Sequence, residues 1–71
     1  LNTEEAIREI ENYMDKVILQ GYDTFTIIHG LGSGILRKNI GEYLKNNRYV
    51  ASYRTGGQNE GGMGATVVEM K

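Results

Sequence analysis

The segment IIHGLGSGILRK, residues 27–38, joins an apolar run to a basic one through a histidine and three glycines in five positions. His29 is the only histidine in the chain. A strand, a glycine-rich turn and a helix N-terminus together make a general anion site: the first backbone N–H groups of a helix lack intrahelical partners, and the macrodipole adds partial positive charge. Gly30, Gly32 and Gly34 would let that backbone approach a phosphate closely, and Ser33 is placed to cap the helix that follows. Arg37 and Lys38, about one turn further on, add charge-assisted contacts. A neutral imidazole at the mouth of such a site can activate water or protonate a leaving oxygen in phosphodiester hydrolysis, which makes His29 the candidate catalytic residue. The alternative is a glycine turn that only packs strand against helix, with His29 a hydrogen-bonded structural residue.

Two familiar phosphate loops fail on spacing. A dinucleotide fingerprint needs glycine where Ile35 stands and an acidic residue about 20 positions on, where this chain reads SYRTGG. A P-loop needs Gly-Lys-Ser/Thr opening its helix, and the corresponding stretch is SGILRK. No nucleotide cofactor is therefore expected in this domain. A metal nuclease would gather several carboxylates around the histidine. Asp23, Glu42 and Glu60 are scattered, so no metal site is expected either. The phosphate then belongs to something larger, such as a nucleic-acid backbone.

The elements that must position these residues can be read from periodicity. Asn2 or Thr3 can cap a helix whose first turn carries Glu4 and Glu5. Ile7, Ile10, Met14 and Val17, joined by Ala6, Tyr13 and Ile18, recur at helical spacing, and Gly21 is a stop, which predicts a helix over Thr3–Gln20. TFTII, Thr24–Ile28, is β-branched and aromatic and predicts a strand. Leu36, Ile40, Tyr43 and Leu44 form the stripe of a second helix, inside which Gly41 costs about 1 kcal/mol relative to alanine and marks a close helix contact. Tyr49–Arg54 alternates as a strand, Thr55–Gly64 is a glycine-rich loop or wide hairpin turn, and Ala65–Met70 reads as a last strand.

This order predicts an α/β two-layer sandwich with both helices on one face of a largely parallel sheet, to which the final hairpin adds an antiparallel member. The first helix has no strand before it, and a strand upstream of Leu1 would repair that. With no initiator methionine and a helix cap directly after Leu1, the chain is read as one domain, residues 1–71, excised from the C-terminus of a larger protein.

Composition sets outer bounds. A chain of 71 residues buries only about 60% of its unfolded surface, so stability is expected to be marginal. The absence of cysteine excludes a disulfide framework and a thiolate zinc site, and it fits a reducing, cytoplasmic setting. No apolar run approaches the roughly 20 residues that cross a bilayer, so no membrane partner is expected. The net charge of −1 conceals an asymmetry: residues 1–28 carry −4, residues 29–58 carry +4 and the remainder −1. The basic section includes the glycine loop, Arg37, Lys38 and Arg54, and can steer a polyanion toward one face. Tyr49 and Tyr53, both on a predicted strand, could stack on unpaired bases or pack in the core.

IIHGLGSGILRKNIGEYL followed by VASYRTGGQNEGGMGATVVEM resembles the Smr domain, the small MutS-related module at the C-terminus of MutS-type bacterial proteins that act outside mismatch repair. The resemblance covers essentially the whole chain. It implies a βαβαββ sandwich like the C-terminal domain of bacterial translation initiation factor three, with the first strand, carrying a Leu-Asp-Leu-Arg/His-Gly motif, lying before Leu1. It implies nucleic-acid binding, DNA-nicking endonuclease activity and a part in limiting homologous recombination, within an ATP-hydrolysing, homodimeric parent protein. Binding to branched DNA, RNA or collided ribosomes is the alternative, non-catalytic role. The family motif maps onto His29, Gly30, Gly32 and Gly34. Leu31 stands where many members have lysine, and Met63 where some have aspartate, which removes a phosphate contact and a carboxylate.

Overall fold

The computed structural model describes residues 2–30 and 34–71. Helix α1 (Thr3–Gln20) is followed by β1 (Thr24–Ile28), α2 (Ile35–Lys45), β2 (Val50–Thr55), a 3-10 turn (Gly62–Gly64) and β3 (Ala65–Met70). Asn2 caps α1, its side-chain oxygen accepting from the Glu5 amide at 2.8 Å, while Glu4 and Glu5 complement the helix dipole. At the other end Gly21 adopts φ 75°, and the Gly21 and Tyr22 amides return to the carbonyls of Ile18 and Val17. The predicted limits of α1, β1 and β3 coincide with those observed.

The strand order is β1-β3-β2, and β3 pairs antiparallel with both neighbours. This corrects the expectation of a largely parallel sheet. Strands β1 and β2 do run in the same direction, as a helical crossover between them requires, but β3 lies between them and no adjacent pair in the described sheet is parallel. The reason lies in composition: ATVV, Ala65–Val68, is buried along its whole length, so the most apolar strand takes the central place. Edge strands β1 and β2 alternate or stay exposed.

One core serves both helices. Ile10, Met14 and Val17 of α1 meet Ile40 and Leu44 of α2 over Phe25, Val50 and Val68 from the three strands. The registers Phe25↔Val68 and Tyr53↔Val68 place these strand residues on one sheet face, so the two helices cover that face together. Leu36 and Tyr43 pack against the cluster as their helical spacing predicted. Tyr13 departs from its stripe: it is half exposed, its ring tilted 54° onto Phe25 with centroids 5.4 Å apart.

A register shift between Val50 and Ser52 makes Ala51 the extra residue of a bulge. The shift turns Val50 into the core beside Tyr53's face, whereas Tyr49 precedes the strand. Tyr49, read from the sequence as the first residue of this strand, therefore lies outside it. Tyr49 instead takes a hydrogen bond from Arg48 at 2.8 Å and lies under its guanidinium. The outer side of β1 carries no strand among the described residues, and a largely apolar cleft of about 670 Å³, lined by Ile10, Tyr13, Phe25, Ile27 and Leu36 with His29 at its border, runs beside it.

Two glycines make opposite demands. Gly41 faces the Tyr53 ring, yet a Cβ there would lie 3.6 Å from Tyr53 Cε2, an ordinary contact. Gly61 has φ 95°, and a Cβ there would come within 2.9 Å of the Ala65 Cβ. Gly41→Ala is thus expected to stabilise the fold by about 0.5–1 kcal/mol through helix propensity. Gly61→Ala should destabilise it by at least about 1 kcal/mol through left-handed strain and collision. Urea unfolding of the two variants checks both signs.

Candidate functional site

The end of β1 is fastened to the second glycine loop. The amides of His29 and Gly30 both donate to the Gly64 carbonyl at 2.9 Å, so the backbone leaving β1 is fixed against the 3-10 turn that enters β3. The half-buried His29 ring is held at both nitrogens: Nδ1 is 2.8 Å from the Gly30 carbonyl oxygen and Nε2 is 2.9 Å from the Thr66 hydroxyl. Because a carbonyl only accepts, the proton of the neutral ring is on Nδ1, and Nε2 accepts from Thr66.

Helix α2 begins at Ile35 with Gly34 in the cap position at φ 87°, and the Lys38 amide donates to the Gly34 carbonyl at 3.0 Å. The cap is therefore Gly34 rather than Ser33, because the left-handed turn that opens the helix falls one residue later than the sequence suggested. Gly32 and Ser33, selected for the anion loop, and Leu31 between Gly30 and Gly32, lie outside the described residues. Arg37 and Lys38 stand in the first turn of α2 as expected. The Arg37 guanidinium donates to the Thr55 hydroxyl, tying α2 to the end of β2.

These residues open onto two adjoining hollows. One, of about 490 Å³, is lined by Gly34, Arg37, Lys38, Gly41, Glu42, Lys45 and Tyr53, three cations against one carboxylate. The other, of about 230 Å³, is lined by Arg37, Gly41, Tyr53, Arg54, Thr55 and Thr66. The structure thus gathers Gly34, Arg37, Lys38 and Arg54 around one surface, and Thr66 links that surface to His29. Sequence reasoning left Lys45, Thr55 and Thr66 out of the site and weighed Tyr53 only as a base-stacking or core residue. A signal for Lys45 was present: positions 34, 38, 41 and 45 recur at helical spacing opposite the buried stripe. Nothing local marks Thr55 and Thr66, which meet only through the strand register Thr55↔Thr66.

Arg54 is engaged elsewhere as well. Its guanidinium grips Glu60 in a two-point fork at 2.8 and 2.9 Å, and Glu60 also accepts from the Gly57 amide at 2.7 Å. Glu60, taken from sequence as an isolated carboxylate, therefore braces the second glycine loop and neutralises Arg54. Among the described residues no three His, Asp or Glu side chains converge as a metal site would require, and no helix is long and apolar enough to cross a membrane.

A small α/β domain, with a basic helix face beside a histidine clamped between the end of β1 and β3, is the class that fold and site define. The family model of the Smr domain matches residues 1–71, and the chain belongs to the Smr domain family. It is 51% identical over 70 residues to the endonuclease MutS2 of Brevibacillus brevis, covering 99% of this chain and 9% of that protein. It is 53% identical over 68 residues to the endonuclease MutS2 of Enterococcus faecalis, covering 96% of this chain and again 9% of the relative. The chain therefore spans a small part of the length of these relatives. Among solved structures, the Smr domain of Thermus thermophilus MutS2 matches with a TM-score of 0.95 at 34% identity, covering all of this chain and 89% of that one. The stand-alone small MutS-related protein YdaL of Escherichia coli matches with a TM-score of 0.93 at 25% identity, covering 99% of this chain and 58% of that one.

Arg54, and then the Gly57 amide, hold the Glu60 carboxyl down at about 2, below its ordinary value of 4.5. A depressed carboxylate stabilises the folded state fully above the ordinary range and ceases to do so as pH falls through its folded value. The Arg54–Glu60 clamp is thus expected to persist on acidification until about pH 2. Arg54→Ala should raise the Glu60 midpoint toward 4.5, read by carboxyl carbon chemical shifts across an acid titration.

Proposed function

We propose that this chain is the nucleic-acid-binding nuclease domain of a MutS2-type protein, a DNA-nicking module whose parent ATPase limits homologous recombination. The observation that carries this reading is the stripe Gly34, Arg37, Lys38, Gly41 and Lys45 on α2, open beside Tyr53 and joined to His29 through Thr66. Glycine at positions 34 and 41 keeps the helix face low, so that a phosphodiester can lie across it, and the three cations neutralise its charge. The names of the relatives, endonuclease MutS2, support the same reading.

In this reading Arg37 and Lys38 bind and orient the phosphate and offset the charge that develops during hydrolysis. His29, with its proton on Nδ1, has its basic nitrogen at Nε2 and accepts a proton from the attacking water once a substrate has reorganised the contact with Thr66. Arg54 contributes charge to the rim only in competition with Glu60.

One observation favours a second reading, a domain that binds DNA, RNA or a ribosomal surface without cutting. Both His29 nitrogens are occupied by Gly30 and Thr66, so the ring already serves as a clamp between β1 and β3. Phosphate contacts carry little base information, and either reading entails weak sequence preference with steep salt dependence.

Fluorescence anisotropy with a short DNA duplex and the matching RNA, over a range of salt, tests binding. Arg37→Ala and Lys38→Ala are each expected to lower the slope of log affinity against log salt, by about 0.9 for every duplex phosphate that the variant no longer neutralises. An unchanged slope in both would remove the proposed surface. Nicking by the full-length protein tests the chemistry: His29→Ala should abolish it while leaving affinity within a fewfold; equal nicking by both proteins removes the catalytic role of His29, and no nicking by either leaves the binding-only reading.

A further inference from the structure

We infer that Thr66 is a positioning residue for His29: its buried hydroxyl, together with the Gly30 carbonyl, fixes the imidazole with the proton on Nδ1 and the lone pair on Nε2, directed at Thr66, which itself lines the Arg37 hollow. This assignment rests on His29 being the reactive group of the site, but the geometry behind it does not.

Neutral imidazole has one N–H and one lone pair, and the two contacts of His29 consume them in one arrangement only. The Gly30 carbonyl 2.8 Å from Nδ1 has no proton to give, so the ring donates there. The reverse tautomer would set the Nδ1 lone pair against a carbonyl lone pair at hydrogen-bond distance. Nε2 is then the acceptor, and the group 2.9 Å away is the Thr66 hydroxyl, a donor that rotates to suit. Thr66 is the one buried polar residue among those described, 5% exposed, on the strand that is bonded along both sides. Its branched side chain is stiff at χ1, so the hydroxyl is held at a fixed point.

The location matters as much as the bond. Thr66 pairs in register with Thr55, Thr55 accepts from Arg37, and all three line the same hollow of about 230 Å³. A phosphate oxygen gripped by Arg37 therefore lies across a pair of threonines from the basic nitrogen of His29. Serine would keep the hydroxyl at this position, whereas valine keeps the shape and removes it.

The test is long-range nitrogen–proton correlation of the His29 ring at alkaline pH in the wild-type chain, Thr66→Val and Thr66→Ser. Wild type is expected to show a protonated Nδ1 and an unprotonated Nε2. Thr66→Val should leave Nδ1 protonated on the Gly30 carbonyl but shift the Nε2 resonance downfield, as loss of its hydroxyl donor requires, and Thr66→Ser should restore the wild-type pattern. A wild-type ring protonated at Nε2, or a Thr66→Val spectrum identical to wild type, overturns the assignment, and the wild-type spectrum decides even if the valine variant does not fold. Nicking by the full-length protein then separates the two levels. Loss in Thr66→Val with retained DNA affinity, and recovery in Thr66→Ser, supports positioning for chemistry; undiminished nicking in Thr66→Val overturns it. If His29→Ala itself leaves nicking intact, the catalytic role of His29 fails while the tautomer result stands by itself.

Discussion

The hydrogen bonding of β3 on both sides is the constraint on which the rest of the domain depends. Through it Phe25 and Val50, from strands far apart in sequence, share one core with Val68, and both helices find a common face to cover. Through it the exit of β1 and the second glycine loop become neighbours. The Gly64 carbonyl at the head of β3 receives the amides of His29 and Gly30, so the exit of β1 cannot move without disturbing the entry to β3. In a domain with so small a core, a buried polar contact such as His29–Thr66 is retained only because each partner is satisfied in place.

The same strand organises the electrostatics. The positive section of the sequence is divided by folding into cations of different standing. Arg37 is anchored on Thr55, and Arg54 is held by Glu60, whose own acidity that grip increases. Lys38 and Lys45 take no ion pair among the described residues. Under the proposed function, an anion approaching this face would meet the exposed lysines before the anchored Arg37, and Arg54 would have to exchange one carboxylate for another partner. Mobile lysines supply attraction at range, and a pre-set arginine supplies geometry at contact.

Much of this was legible in the chain. The caps and stripe of α1, the β-branched run of β1 and the apolar ATVV of β3 are local patterns, and local patterns fix where elements begin and end. The motif around His29, with the glycine-rich hairpin after it, was specific enough to indicate the Smr family. Strand order was not legible, because a helix between β1 and β2 is equally consistent with adjacent strands and with a third strand inserted between them. The bulge at Ala51 was hidden for a related reason: a one-residue slip is decided by what the opposite strand presents, here Met70 and Glu69.

By itself, then, the sequence determined the elements, the family, the uneven charge and the identity of the histidine, since each follows from neighbours within a few positions. Only the tertiary structure decided that Thr66 meets His29, that Thr55 meets Arg37 and that Glu60 neutralises Arg54. The first two contacts join residues 37 and 18 positions apart, brought together by strand pairing and by the packing of α2 on β2, which no short stretch of the chain encodes. The third, within one hairpin, depends on the left-handed glycine turn that folds residues 57–62 back on themselves. Side-chain chemistry is written in the residue types, whereas the pairing of donors with acceptors is settled by which strands lie side by side.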